Sequence, residues 1–160
     1  MRRTYLLYVL ASLFFMAEIS FFRITVWLPD FMLLLTLYAA MSLGLGPGLR
    51  LGLFSGFLCG IFSNNMLFLD MLIYPAAALL AVLLSTTLYV QNPAVQMFVC
   101  AIAVFMKLFT RFFYIELVSG GHMNFFSFIF DAWRMIVVTV VLAPAFFFLA
   151  GYVAAGSERE

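Results

Sequence analysis

Long apolar runs, interrupted by single charges and short breaker clusters, set the organisation of this chain. Nineteen uncharged residues separate Asp30 from Arg50, and nineteen more separate Arg50 from Asp70. Each run is close to the roughly 20 residues that carry a helix across the hydrocarbon of a bilayer. Cutting at charges and at Pro, Gly and Asn clusters predicts six helices, near Thr4–Phe22, Pro29–Leu45, Gly48–Asn64, Asp70–Tyr89, Ala94–Val118 and Phe128–Ala154. Gln91-Asn92-Pro93 and Ser119-Gly120-Gly121 are the clearest breaks, and connections this short leave no room for a soluble domain or a long catalytic loop. The pattern predicts one polytopic membrane domain over residues 1–160: an all-α integral membrane protein, a compact bundle of about six transmembrane helices.

Within the second and third predicted helices, Gly44, Gly48, Gly52, Gly56 and Gly60 recur at four-residue intervals. Glycine in a helix interior costs about 1 kcal/mol relative to alanine. In a bilayer the same bare stripe lets a neighbouring backbone approach closely enough for van der Waals packing. The neighbour is either another helix of this bundle or the membrane helix of a partner, and the spacing leaves both open.

Composition sharpens the class. Hydrophobic residues make up 67% of the chain, charged residues 9%, and 21 residues are phenylalanine; mean hydropathy is +1.17. A soluble domain is about half apolar, so too little polar surface remains here to cover one. A formal net charge of +1 provides no field for nucleic acid. Arg2-Arg3 before an apolar run has the outline of a leader, but the run continues to Phe22 with no small-residue cleavage site, which predicts a retained first helix. The basic residues in short loops, Arg2, Arg3, Arg50 and Arg159 against Arg23, predict that both termini face the cytoplasm. Asn64, Asn65, Asp70, Glu116 and His122 then fall near the outer face.

Charges inside the spans carry the most chemical information. Glu18, Lys107, Arg111, Asp131 and Arg134 lie within or close to predicted helices. A charge at mid-membrane costs about 2.5 to 3.5 kcal/mol on insertion scales, so each requires a partner, water or a route to the headgroups. Lys107 and Arg111, four apart, share one face of the fifth helix; Asp131 and Arg134, three apart, can pair on the sixth. The simplest assembly pairs Glu18 or Glu116 with the fifth helix. Arg111 and Glu116 are read as groups that snorkel to the outer headgroups. Lys107, furthest from either helix end, is the candidate for contact with a polar group of the interior or of a partner. A proton or substrate pathway is the competing reading of the same residues, and Glu18, Lys107 and Arg111 are few for one.

Nothing nominates an enzyme. Ser55, Ser63, Ser85 and Ser119 lack a nucleophile elbow or a paired base, and His122 has no carboxylate or cysteine at metal-ligand spacing. Cys59 and Cys100 sit in apolar stretches without CxxC spacing and read as small buried hydrophobes. No cofactor or metal is expected. Phe125–Phe130 reads as a short interfacial segment or as lipid-facing bulk.

The segment Pro29–Asn65, PDFMLLLTLYAAMSLGLGPGLRLGLFSGFLCGIFSNN, resembles the rod shape-determining protein MreD family. A proline follows the first helix, then an aliphatic helix, a glycine-rich turn and a Gly-Phe-x-x-Gly segment, here Gly56-Phe57-Leu58-Cys59-Gly60. Where the family usually shows an aspartate after this segment, the chain has Ser63-Asn64, and the nearest acid is Asp70. The resemblance implies a non-enzymatic scaffold subunit of the bacterial cell-elongation complex, the elongasome that couples peptidoglycan synthesis to cell shape. It implies binding to the transmembrane helix of MreC, with RodA, a penicillin-binding protein and MreB in the larger complex, in the inner membrane. The implied fold is similar to the substrate-binding S components of energy-coupling factor vitamin transporters, and this supplies the alternative function. On the scaffold reading the partner-binding or helix-packing residues are Gly44, Gly48, Gly52, Gly56, Phe57 and Gly60; Glu18, Asn64, Asp70, Lys107 and Arg111 are the polar residues of the bundle.

Overall fold

The computed structural model describes residues 2–22, 29–62, 67–88, 91–118 and 124–156. They form six α-helices and, among the described residues, no strand: α1 (Arg2–Phe22), α2 (Phe31–Leu43), α3 (Leu45–Phe62), α4 (Leu67–Thr87), α5 (Pro93–Val118) and α6 (Phe125–Gly156). Three stretches are long and apolar enough to cross a membrane, Phe68–Thr87, Pro93–Val118 and Ala132–Tyr152; those in the first three helices are shorter, Tyr5–Ala17, Phe31–Leu43 and Leu45–Ile61. The chain is therefore read as an all-α membrane protein.

Helix α2 is the hub, packing against each of the other five. Its residues Met32 to Ala40 are buried without interruption, which explains why its sequence is apolar all round instead of amphipathic. At 13 residues it is about 20 Å long, shorter than a bilayer core. Its first turn therefore ends inside the protein. Asp30 caps it there, accepting the Leu33 N–H at 2.9 Å. At the other end Gly44, at φ +91, reverses the chain directly into α3, a conformation that side chains other than glycine's adopt only with strain.

Helix α3 lies antiparallel to α2 and α4, and the glycines set how closely. A Cβ on Gly48 would lie 2.7 Å from the Ala40 Cα of α2; on Gly52, 3.0 Å from the Pro75 nitrogen; on Gly56, 2.5 Å from the Asp70 carbonyl oxygen. Four-residue spacing drifts by about 40° per step on a helix with 3.6 residues per turn. The row consequently starts against α2 and turns onto α4. Ser55, buried on the same side of α3, accepts a hydrogen bond from Thr36 of α2 at 3.3 Å.

Rings close the opposite side. Phe14 of α1, Phe31 of α2 and Phe146 of α6 stack with centroids 5.2 to 6.1 Å apart, and Tyr38 of α2 meets Phe147 of α6 at 5.9 Å.

Candidate functional site: a buried charge network

Four charged side chains converge where the first turn of α2 meets α4 and α5. Lys107, in the middle of α5, donates to Asp30 Oδ2 and, at 2.7 Å, to the Tyr74 hydroxyl of α4. Its ammonium also lies 4.6 Å from the Tyr74 ring centroid, so one cation is served by a carboxylate, a hydroxyl oxygen and a π face. Tyr74 OH stands 3.3 Å from Asp30 Oδ1 and 3.3 Å from the Cys59 sulfur of α3; with one proton to give, it donates to one of them. The Asp30 N–H donates to Thr139 Oγ1 of α6 at 3.1 Å. Asp30 is thereby tied to four helices besides the turn it caps only if its indirect link to Cys59 is counted; its direct bonds reach α4, α5 and α6.

One helical turn along, Arg111 Nη2 donates to both oxygens of Asp70, at 2.8 and 3.1 Å. The Lys107–Tyr74 and Arg111–Asp70 contacts share one geometric cause, whereas the Asp30 that pairs with Lys107 comes from the cap of α2. Asp70 and Tyr74 are four apart on α4, Lys107 and Arg111 are four apart on α5, and the helices run antiparallel, so one pair of side chains on each faces the matching pair on the other. The four formal charges sum to zero. Asp30, Asp70 and Lys107 are almost wholly buried, and only Arg111, with 28% of its side chain exposed, approaches the surface.

No family model, no curated protein and no solved structure matches the chain. The site is thus interpreted from its own chemistry.

The arrangement corrects several expectations. Lys107, Asp70 and Arg111 come together, and among the described ion pairs the carboxylates that hold α5 are Asp30 and Asp70, neither of which was the expected partner; the pairing expected of Glu18 falls outside the described side chains. The short α2 carries Asp30 into the interior, and the antiparallel α4 sets Asp70 level with Arg111. Arg111 turns inward to Asp70 instead of snorkelling. Gly48, Gly52 and Gly56 meet α2 and α4 of their own chain; Gly44 is a helix cap, outside the packed row. Gly60 is buried, whereas Phe57 is about half exposed on the outer face of α3. The Glu18 and Asp131 side chains, and Asn64 and Asn65, lie outside the described residues. Arg134 is exposed, its guanidinium 5.9 Å from the Trp133 ring.

Asp30, Tyr74 and Thr139 are the site residues that the sequence reading missed. In the sequence Asp30 marks a span boundary, and an aspartate directly before an apolar helix is also a capping signal. Tyr74 sits one turn from Asp70 on the face that Lys107 and Arg111 would need. Among the described residues no group of three or more His, Cys, Asp or Glu side chains could hold a metal ion.

Proposed function

We propose that this protein is a non-enzymatic membrane scaffold subunit of the bacterial cell-elongation complex, binding the transmembrane helix of MreC and working with RodA, a penicillin-binding protein and MreB. On this reading the six-helix bundle lies in the inner membrane with α2, too short to span, enclosed within it, both termini in the cytoplasm and a fold similar to that of transporter S components. The carrying observation is that the buried charges are spent on one another. Asp70, the acid that a ligand pocket or a proton path would use, is fully buried and held by both of its oxygens. Asp30 and Lys107 likewise bind each other, which suits a rigid support better than a site awaiting substrate. The resemblance over Pro29–Asn65 supplies the partner.

Docking on the glycine row itself is no part of the proposal, because α2 and α4 occupy the space in front of Gly48, Gly52 and Gly56. The MreC helix would lie on an outward apolar face, against side chains such as Tyr5, Val9 and Leu13 of α1 or Phe105 and Phe109 of α5. Photo-crosslinking in cells tests this: a photoreactive residue is placed in turn at each of these positions, with MreC co-expressed. A run of crosslinks at helical spacing along one face supports the proposal. Crosslinks at no position, with the protein inserted, would overturn it. The alternative, a vitamin-binding S component, predicts capture of a small ligand instead.

A further inference from the structure

The acids and the bases of the buried network occupy different places in their helices. Asp30 is the N-cap of α2, and Asp70 is the fourth residue of α4. Each stands at the end of an apolar run, where a carboxylate can stay in the headgroup layer until its helix is packed. Lys107 has no such route. It is eleven residues from the nearer end of α5, about 16 Å along the axis, beyond the reach of a snorkelling side chain. Arg111, one turn further on, adds a second cation to the same face. The acceptors that receive these cations belong to earlier helices, Asp30 and Tyr74 for Lys107 and Asp70 for Arg111. During synthesis both acids therefore leave the ribosome before α5 does.

We propose that α5 enters the membrane with the help of α2 and α4: Asp30 and Asp70 are the counter-ions that make its insertion favourable. The length and composition of α5 suffice for a span. What opposes insertion is two cations four residues apart, each costly at depth, while each Val, Leu, Ile or Phe of the helix returns only a fraction of one such cost. Pairing lifts the opposition at both positions, because the four charges sum to zero. Helices α4 and α6 differ in this respect. Among their described side chains the charges are Asp70, in the first turn of α4, and Arg134, exposed near one end of the apolar stretch Ala132–Tyr152. Neither places a cation deep in its span, so α5 is the helix that depends on residues laid down before it.

The test follows the full chain in cells with a reporter fused to its C-terminus, either green fluorescent protein, which fluoresces in the cytoplasm, or alkaline phosphatase, which is active outside it. When α5 fails to insert, α6 crosses in the opposite sense and the C-terminus changes sides. Asp30→Asn with Asp70→Asn should change the ratio of the two signals at least about tenfold, and either single change, which leaves one cation paired, should change it less. Adding Lys107→Met and Arg111→Met to the acid double variant should restore the parental ratio, since an apolar α5 needs no counter-ion. A second readout separates insertion from packing. Phe105→Cys, about half exposed on the outward face of α5, is placed in a chain with Cys59→Ala and Cys100→Ala. It should resist a membrane-impermeant maleimide in the parent and react in the acid double variant. An unchanged ratio in the acid double variant would overturn the proposal. Continued protection of Phe105→Cys would overturn it too, because the helix would then have inserted and lost only its packing. So would failure of the Lys107→Met and Arg111→Met changes to restore the ratio, because the effect would not pass through the cations.

Discussion

Replacing Asp30 by asparagine removes one charge and little else. Asparagine caps a helix about as well as aspartate, so the Leu33 N–H keeps an acceptor, and the side chain barely changes volume. What is lost is the anion facing Lys107, whose side chain is only 4% exposed. Stripping one partner from a buried ion pair costs about 3 to 5 kcal/mol, because an uncompensated charge is left behind. Lys107→Met strands the Asp30 carboxylate in the same way, softened by Leu33 N–H and Tyr74 OH, which remain as donors. The double variant strands nothing. Methionine fills much of the lysine volume, and the expected cost is about 1 kcal/mol, below that of either single change. Unfolding free energies in mixed micelles, followed by a thiol-reactive fluorophore that reports exposure of Cys59 and Cys100, give the cycle. The coupling should exceed about 2 kcal/mol and make the double variant more stable than either single. Additive losses would refute the assignment of Asp30 and Lys107 as mutual partners.

Gly56→Ala should destabilise by about 1 to 3 kcal/mol in the same assay, because its Cβ would lie 2.5 Å from the Asp70 carbonyl oxygen. Gly46→Ala, with nothing within 4 Å, should cost nothing, and equal effects at the two glycines would contradict the packing described. Thr139→Val removes the acceptor for the buried Asp30 N–H and should cost about 1 to 3 kcal/mol; Thr139→Ser, which keeps the hydroxyl, should recover most of the loss. Tyr74→Phe deletes the hydroxyl shared by Lys107, Asp30 and Cys59, and should lower the melting temperature without changing membrane insertion.

Helix positions were legible because charges and breakers interrupt the apolar runs near the ends of the spans. The ends moved by a few residues where capping decided them: α2 starts after Asp30 and stops at Gly44, inside the predicted Pro29–Leu45. The need of Lys107 for a buried partner was legible too, since a mid-span cation cannot stand alone. Its partner was not. A carboxylate that looked like loop in one dimension is carried to the centre by a helix too short to span, and only the three-dimensional course of α2 reveals that. The glycine row was legible as a docking surface but not in direction. Its occupant depends on which neighbour the drifting row meets, and the row meets α2 at Gly48 and α4 at Gly52 and Gly56.

The scaffold proposal faces its most direct test in an affinity purification in mild detergent, from the bacterium that makes this protein, with a C-terminal tag and mass spectrometry of the recovered proteins. The account predicts MreC together with RodA and a penicillin-binding protein. Recovery instead of an ATPase pair with a coupling membrane subunit would contradict it and identify a transporter component.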